Sequence, residues 1–135
     1  MLKKVEVVAA VIKKDNTILA TQRGYGEFKG GWEFPGGKPE IDEGKEDALI
    51  REIKEELNAS IKVNDYICTV EYDYSNFHLT MHTYFCELLN DHIELVCNGD
   101  KLEHESMKWL SKEQLDSVDW LGADIEIVKK LKELL

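Results

Sequence analysis

Gly36-Gly37-Lys38-Pro39-Glu40-Ile41-Asp42-Glu43-Gly44, followed after Lys45 by Glu46-Asp47-Ala48-Leu49-Ile50-Arg51-Glu52-Ile53-Lys54-Glu55-Glu56-Leu57-Asn58, is the stretch on which the fold turns. It reads as a glycine loop feeding an acidic helix. At about 3.6 residues per turn, Glu52, Glu55 and Glu56 stand at i, i+3 and i+4, so their carboxylates share a face. Leu49, Ile50, Ile53 and Leu57 form the neighbouring stripe that would bury the helix. Like charges at this spacing cost a helix roughly 0.2–0.5 kcal/mol a pair. Three together are therefore either well solvated or held by a cation, and for the glutamates taken alone a solvated face is the commoner case. Lys45 stands where a Ser or Thr cap is expected, so Gly44 is the expected cap, with Glu46 and Asp47 favourable in the first turn. Asn58 is expected to end the helix in a left-handed conformation, which Asn tolerates better than most residues.

At 135 residues the chain is read as one domain over 1–135, with an ordinary apolar and aromatic content that argues against disorder. A formal charge of −10 excludes the basic footprint that long nucleic acid requires. A single nucleotide is still admitted, because a small polyphosphate can arrive with a cation that bridges acid to acid. Cys68, Cys86 and Cys97 lack CxxC spacing and are odd in number, which indicates neither a disulfide framework nor a zinc site and suggests a reducing compartment. The amino-terminal apolar run Val5–Ile12 is far too short to span a membrane and carries no cleavage-site pattern. The expectation is a cytoplasmic, soluble protein without membrane partners.

Along the chain, Val5–Lys13 reads as a buried strand, Asp15-Asn16 as a turn and Thr17–Arg23 as the returning strand. Gly24–Gly31 is a glycine-rich loop, either a flap or a plain connection. Trp32-Glu33-Phe34 is a short strand stopped by Pro35. Ser60–Tyr74 and Phe77–Leu89 form a hairpin, His92–Val96 a short edge strand, and Glu103–Leu110 a further strand. Ser111 is expected to cap a short helix through Leu115, and Ala123–Leu135 to form an amphipathic helix with Ile125, Val128, Leu131 and Leu135 on one side. His78 and His82 share a strand face at a spacing too wide for a common metal and read as structural; His104 reads as a surface histidine.

Gly37, Glu43, Arg51, Glu52, Glu55 and Glu56 also match the spacing G-x5-E-x7-R-E-U-x-E-E, where U is aliphatic. The stretch resembles the box of the Nudix hydrolases, and among them the MutT-like nucleotide pyrophosphohydrolases. It departs from the family pattern at Asn58-Ala59, where a Gly followed by an aliphatic residue is usual. The resemblance implies an α/β fold, the α/β/α Nudix sandwich with a mixed sheet. It also implies Mg2+, with Mn2+ as an alternative, which oxygen-rich carboxylate sites suit.

Carried over by position, the resemblance makes Glu52, Glu55 and Glu56 metal ligands, adds the Gly36 carbonyl, and offers Glu103 as a further acidic ligand. Glu52 and Glu55 are the candidate bases, while Glu43 and Arg51 brace the loop of Gly37 against the helix. Arg23 and Lys38 are placed to meet phosphates, and Asp124 to read the base edge. Phe34 offers backbone contacts, and Tyr74 or Phe77 either stacks on the base or packs on the sheet. The implied reaction converts a nucleoside triphosphate to a monophosphate and pyrophosphate, in nucleotide-pool sanitation. Trp32–Lys38 with Gln22-Arg23 looks like the subgroup of 8-oxo-dGTP diphosphatases and CTP pyrophosphohydrolases. The alternatives are a Nudix-fold module that binds nucleotide without cleaving it, and hydrolysis of another derivative such as ADP-ribose. Either a monomer or a homodimer is compatible.

Overall fold

The computed structural model describes residues 2–98, 101–102 and 104–135. In chain order the elements are β1 (Lys3–Lys14), β2 (Thr17–Arg23), β3 (Trp32–Glu33), β4 (Gly36–Gly37), α1 (Lys45–Leu57), β5 (Ile61–Asp73), β6 (Phe77–Leu88), β7 (Cys97–Asn98), β8 (Lys101–Leu102), β9 (His104–Ser111), a 3-10 turn (Lys112–Ser117) and α2 (Gly122–Leu134). Asp15 and Asn16 both have positive φ, 49° and 66°, which is what a two-residue hairpin matching the strand twist requires.

The principal sheet runs β3-β2-β1-β6-β5, with β4 paired to β1 and β9 to β2. It is mixed, because β1 and β6 are parallel while the other pairs are antiparallel. Alternate side chains of β1 serve opposite faces, as strand geometry dictates. Val8, Ala10 and Ile12 pack with Ala48, Leu49, Ile53 and Leu57 of α1, whereas Ala9 and Val11 share a cluster with Ala123, Ile127, Val128 and Leu131 of α2. A helix on each face of one sheet is the α/β/α sandwich. β1 pairs with β2 only at Lys13↔Ile18 and Lys14↔Thr17, and with β4 at Val8↔Gly37 and Ala9↔Gly36. The two long strands part, and the segment Phe34–Gly37 enters the gap.

The helix ends follow expectation. Gly44 is the N-cap of α1 with Glu46 and Asp47 in the first turn, and Asn58 closes it at φ 48°, ψ 37°, its N–H reaching the Lys54 carbonyl. Four details differ. Ile50 is 41% exposed and Ala48 takes its place in the core, because the buried face of α1 is narrower than its apolar stripe. Ile125 is likewise 41% exposed, since the buried face of α2 runs through Asp124, Ile127, Val128 and Leu131, with an aspartate where an apolar residue is expected. His92–Val96 forms no strand; the Glu94 and Val96 amides instead donate to the carbonyls of Leu57 and Glu56, which seats Ile93 and Leu95 against α1. The turn after Ser111 is 3-10 and continues to Ser117, with Gln114 Oε1 accepting the Ser111 N–H at 3.0 Å.

Candidate active site

The parting of β1 and β2 opens a cavity of about 620 Å³, walled by β1, β4, α1, β6 and the start of α2. Glu52 and Glu56 of α1 line it beside Gly36 and Gly37, and Asp124 lines it together with Phe34, Tyr74 and Phe77. The glutamates and Asp124 are thus brought to one space from opposite faces of the sheet.

At the first end, side-chain absence matters. A Cβ at Gly37 would fall on the Glu52 carboxyl group, and one at Gly36 on the Val8 carbonyl, so the glycine pair lets the carboxylate and the strand backbone approach. Arg51 is the hub. Its Nε and Nη2 each donate to Glu43 at 2.8 Å, Nη1 to Glu52 at 2.9 Å and Glu55 at 3.1 Å, and Nη2 to the Lys38 carbonyl at 3.1 Å. The Arg51 guanidinium, aided by the Glu40 N–H, holds the Glu43 carboxyl at about 2. Lys38 itself has an exposed side chain on the cavity rim.

The three box glutamates do not converge. The side chains of Glu52 and Glu56 are 17% and 11% exposed, while Glu55 is 56% exposed, leans on Arg51 and does not line the cavity. Glu103 lies outside the described residues. Among those described, no three acidic, histidine or cysteine side chains are gathered as a metal site. Glu52 and Glu56 with the Gly36–Gly37 backbone make an all-oxygen, partial donor set. That set fits a hard divalent cation of the kind that keeps waters and takes phosphate oxygens for its remaining positions.

At the second end, Asp124 is 4% exposed and its Oδ1 accepts the Phe34 N–H at 3.0 Å. The contact arises because residues 119–121 zip onto Trp32, whose N–H reaches the Asp119 carbonyl while its own carbonyl accepts from Leu121. Burial, with the Glu33 charge added, pushes the Asp124 carboxyl well above the usual range and towards neutrality. The Phe34 amide is therefore engaged within the protein, and its ring stacks on Trp120 at 4.6 Å. Tyr74 accepts the Ala123 N–H at 3.0 Å, and burial pushes its phenol up to about 12. It packs against Phe77 (5.1 Å) and against Phe28 (4.9 Å) from the Gly24–Gly31 loop.

Between the ends stand three residues in a row, of which only Arg23 was expected. Arg23 donates to both oxygens of Glu33, at 2.9 and 2.6 Å through Nε and Nη2, which fixes its guanidinium in the cavity wall. Glu33 sits between buried Trp32 and Phe34, and that short alternation was its only sequence signal. His104, read as a surface residue, is 5% exposed: it pairs with Arg23 across an irregularity in the β2–β9 register, which turns it inward. Its Nε2 lies 3.4 Å from Glu56 Oε2 and its Nδ1 3.8 Å from Glu33 Oε2. That Nδ1 is buried and has no hydrogen-bond partner among the described residues. Phe28 and Tyr25, both lining the cavity, had no sequence signal beyond their glycine-rich surroundings.

His78 bonds Asp73 and Glu71, and His82 bonds Glu6 and Thr69, away from the cavity. Among the described residues no helix is long and apolar enough to cross a membrane.

The NUDIX domain model matches residues 2–131. The CTP pyrophosphohydrolase of Escherichia coli (strain K12) is 33% identical over 98% of this chain and 95% of its own. The 8-oxo-dGTP diphosphatase of the same organism is 27% identical over 98% and 100%. The crystal structure of MutT NUDIX hydrolase from Burkholderia pseudomallei superposes with a TM-score of 0.84 at 24% identity, over 96% of this chain and 98% of that one. With the box residues at the mouth of a cavity between the sheet's parted strands, this chain belongs to the Nudix family, among its MutT-like pyrophosphohydrolases.

Proposed function

We propose that the protein hydrolyses nucleoside triphosphates to nucleoside monophosphate and pyrophosphate with Mg2+, as one catalytic domain working on the nucleotide pool of the cytoplasm. One observation carries this reading: a single cavity joins the Glu52–Glu56 carboxylates to the buried Asp124. Asp124 is fastened to Phe34, and Glu52 abuts Gly37 three residues further along the same segment, so the two mark separate positions along the cavity. An elongated ligand with phosphates at one end and a base at the other suits that span.

A divalent cation bound there supplies charge neutralisation for the phosphates and acidifies the attacking water. Glu52 and Glu56 are its proposed ligands, with the Gly36 carbonyl and Glu103, and Glu55 joins the set on turning inward. A water oxygen forms a bond to phosphorus as the bond to the leaving pyrophosphate oxygen breaks. Glu52, inside the cavity and steadied by Arg51, is better placed than Glu55 to take the water's proton. Lys38 on the rim offers a cation to the phosphates. Arg23 serves from the wall, fixed by Glu33. Phe34, Tyr74 and Phe77 wall the base, and Asp124 addresses its edge. A neutral Asp124 carboxyl that accepts from Phe34 can also donate to a base carbonyl.

The related CTP pyrophosphohydrolase and 8-oxo-dGTP diphosphatase suggest the substrates to try first. A screen of normal and oxidised nucleoside triphosphates with Mg2+, reading monophosphate and pyrophosphate, tests the proposal. Cleavage of ADP-ribose in place of every triphosphate would replace it with the other Nudix chemistry, and nucleotide binding without any cleavage would leave a sensing module.

A further inference from the structure

His104 is an expensive residue in its position. It is 5% exposed and leaves Nδ1 without a hydrogen-bond partner among the described residues. An apolar side chain would fill the same space without that unpaired nitrogen. The feature that an apolar residue cannot reproduce is on the other side of the ring. Nε2 points at Glu56 Oε2 at 3.4 Å, and the Glu56 side chain is itself 11% exposed at the cavity wall.

We infer that His104 is a positioning residue: its Nε2–H holds the Glu56 carboxylate turned into the cavity, in the orientation needed to receive a divalent cation. The inference rests on the reading of Glu56 as a cation ligand. Glu56 lies in the last turn of α1, and a glutamate side chain in a helix has more than one staggered rotamer. A hydrogen bond from the buried ring on β9 favours the rotamer that faces the cavity. Partners of this kind, one step removed from the ion, typically change metal affinity by roughly 10–100-fold when removed.

The test compares His104→Leu and His104→Gln with the unmodified protein. Gln keeps an N–H donor near the Nε2 position and Leu fills the space without one. Mn2+ binding to the nucleotide-free protein is followed by electron paramagnetic resonance of the free ion, beside thermal melting in EDTA. His104→Leu is expected to bind Mn2+ about 10–100-fold more weakly while melting in EDTA no lower than the unmodified protein, and His104→Gln is expected to recover most of the affinity. Unchanged Mn2+ binding in His104→Leu overturns the inference and leaves the function standing. Equal loss in both variants, or loss only alongside a lowered melting temperature, also overturns it, because the ring then serves packing. If the unmodified protein binds no Mn2+ with or without nucleotide, the reading beneath it falls as well.

Discussion

At one end of the cavity a single guanidinium, Arg51, gathers Glu43, Glu52, Glu55 and the Lys38 carbonyl, all from residues 38–55. At the other, Phe34 meets Asp124 across ninety positions of sequence, and Tyr74 meets Ala123 across forty-nine. The first end is charged and partly wet, held by several bonds to one group. The second is dry, held by single hydrogen bonds between distant elements. Losing a carboxylate at the first end should therefore spare the fold and damage the chemistry. At the second, removing a buried partner should strike stability and base preference together.

The largest expected effect separates residues within the first end. Glu56→Gln and Glu52→Gln, both at the cavity wall, are each expected to lower turnover by about 10³-fold, equivalent to ~4 kcal/mol. Glu55→Gln, outside that wall, is expected to lower it by less than about tenfold. Steady-state kinetics at saturating Mg2+, with melting curves to verify folding, measure the contrast. If Glu55→Gln falls as far as the other two, the helix face turns during turnover and position in the resting cavity does not identify the working carboxylates.

The same division explains what could be read from the sequence. The box end was legible because its contacts are local: helical spacing puts Glu52, Glu55 and Glu56 on one face, and Arg51 reaches Glu43 over eight positions. Even there, spacing could not tell that Glu55 turns away, since Arg51 competes for it. Sheet and helices were legible from period and turn residues, Asp15-Asn16 and Asn58 among them. Asp124 was singled out by resemblance alone, and its presence on a buried helix face shifted the expected stripe from Ile127 to Ile125. Glu33 and His104 were missed for a related reason. The burial of His104 depends on a register irregularity between β2 and β9, and that of Glu33 on the β2–β3 pairing beside Arg23, neither of which a local pattern announces.

Asp124 probes the second end. Asp124→Ala removes the acceptor of a buried amide, the Phe34 N–H, and is expected to destabilise the fold by about 1–3 kcal/mol and to alter relative rates among nucleotides. Asp124→Asn keeps an acceptor oxygen. In the unmodified protein burial raises the folded-state pKa of Asp124, so as pH rises above about 4 the unfolded chain releases its proton first. Stability contributed by the neutral carboxyl is complete below that pH and declines as pH climbs towards the folded pKa. The Asn variant lacks this decline, so its melting temperature relative to the unmodified protein should rise between pH 4 and pH 8. Parallel curves would mean that Asp124 is charged in the fold, and the dry character assigned to that end would be lost.

The smallest effect concerns the one departure from the family's box. Asn58 holds a left-handed conformation at φ 48°, which costs a non-glycine residue roughly 1–2 kcal/mol relative to Gly, somewhat less for Asn. Its Nδ2 in return donates to Glu94 Oε1 at 3.2 Å and lies 3.2 Å from His92 Nε2, fastening the segment that covers the end of α1. Exposed hydrogen bonds of this type are worth about 0.5–1.5 kcal/mol each. Asn58→Gly relieves the backbone and releases the side-chain bonds, and the two changes nearly offset. The expected result is a stability change within about 0.5 kcal/mol and unaltered turnover, measured by urea unfolding and by the same kinetics. A clear loss would show that the Asn58 side chain ties His92–Val96 to the box helix more firmly than its exposure suggests, and that the box end too depends on a contact from beyond its own stretch.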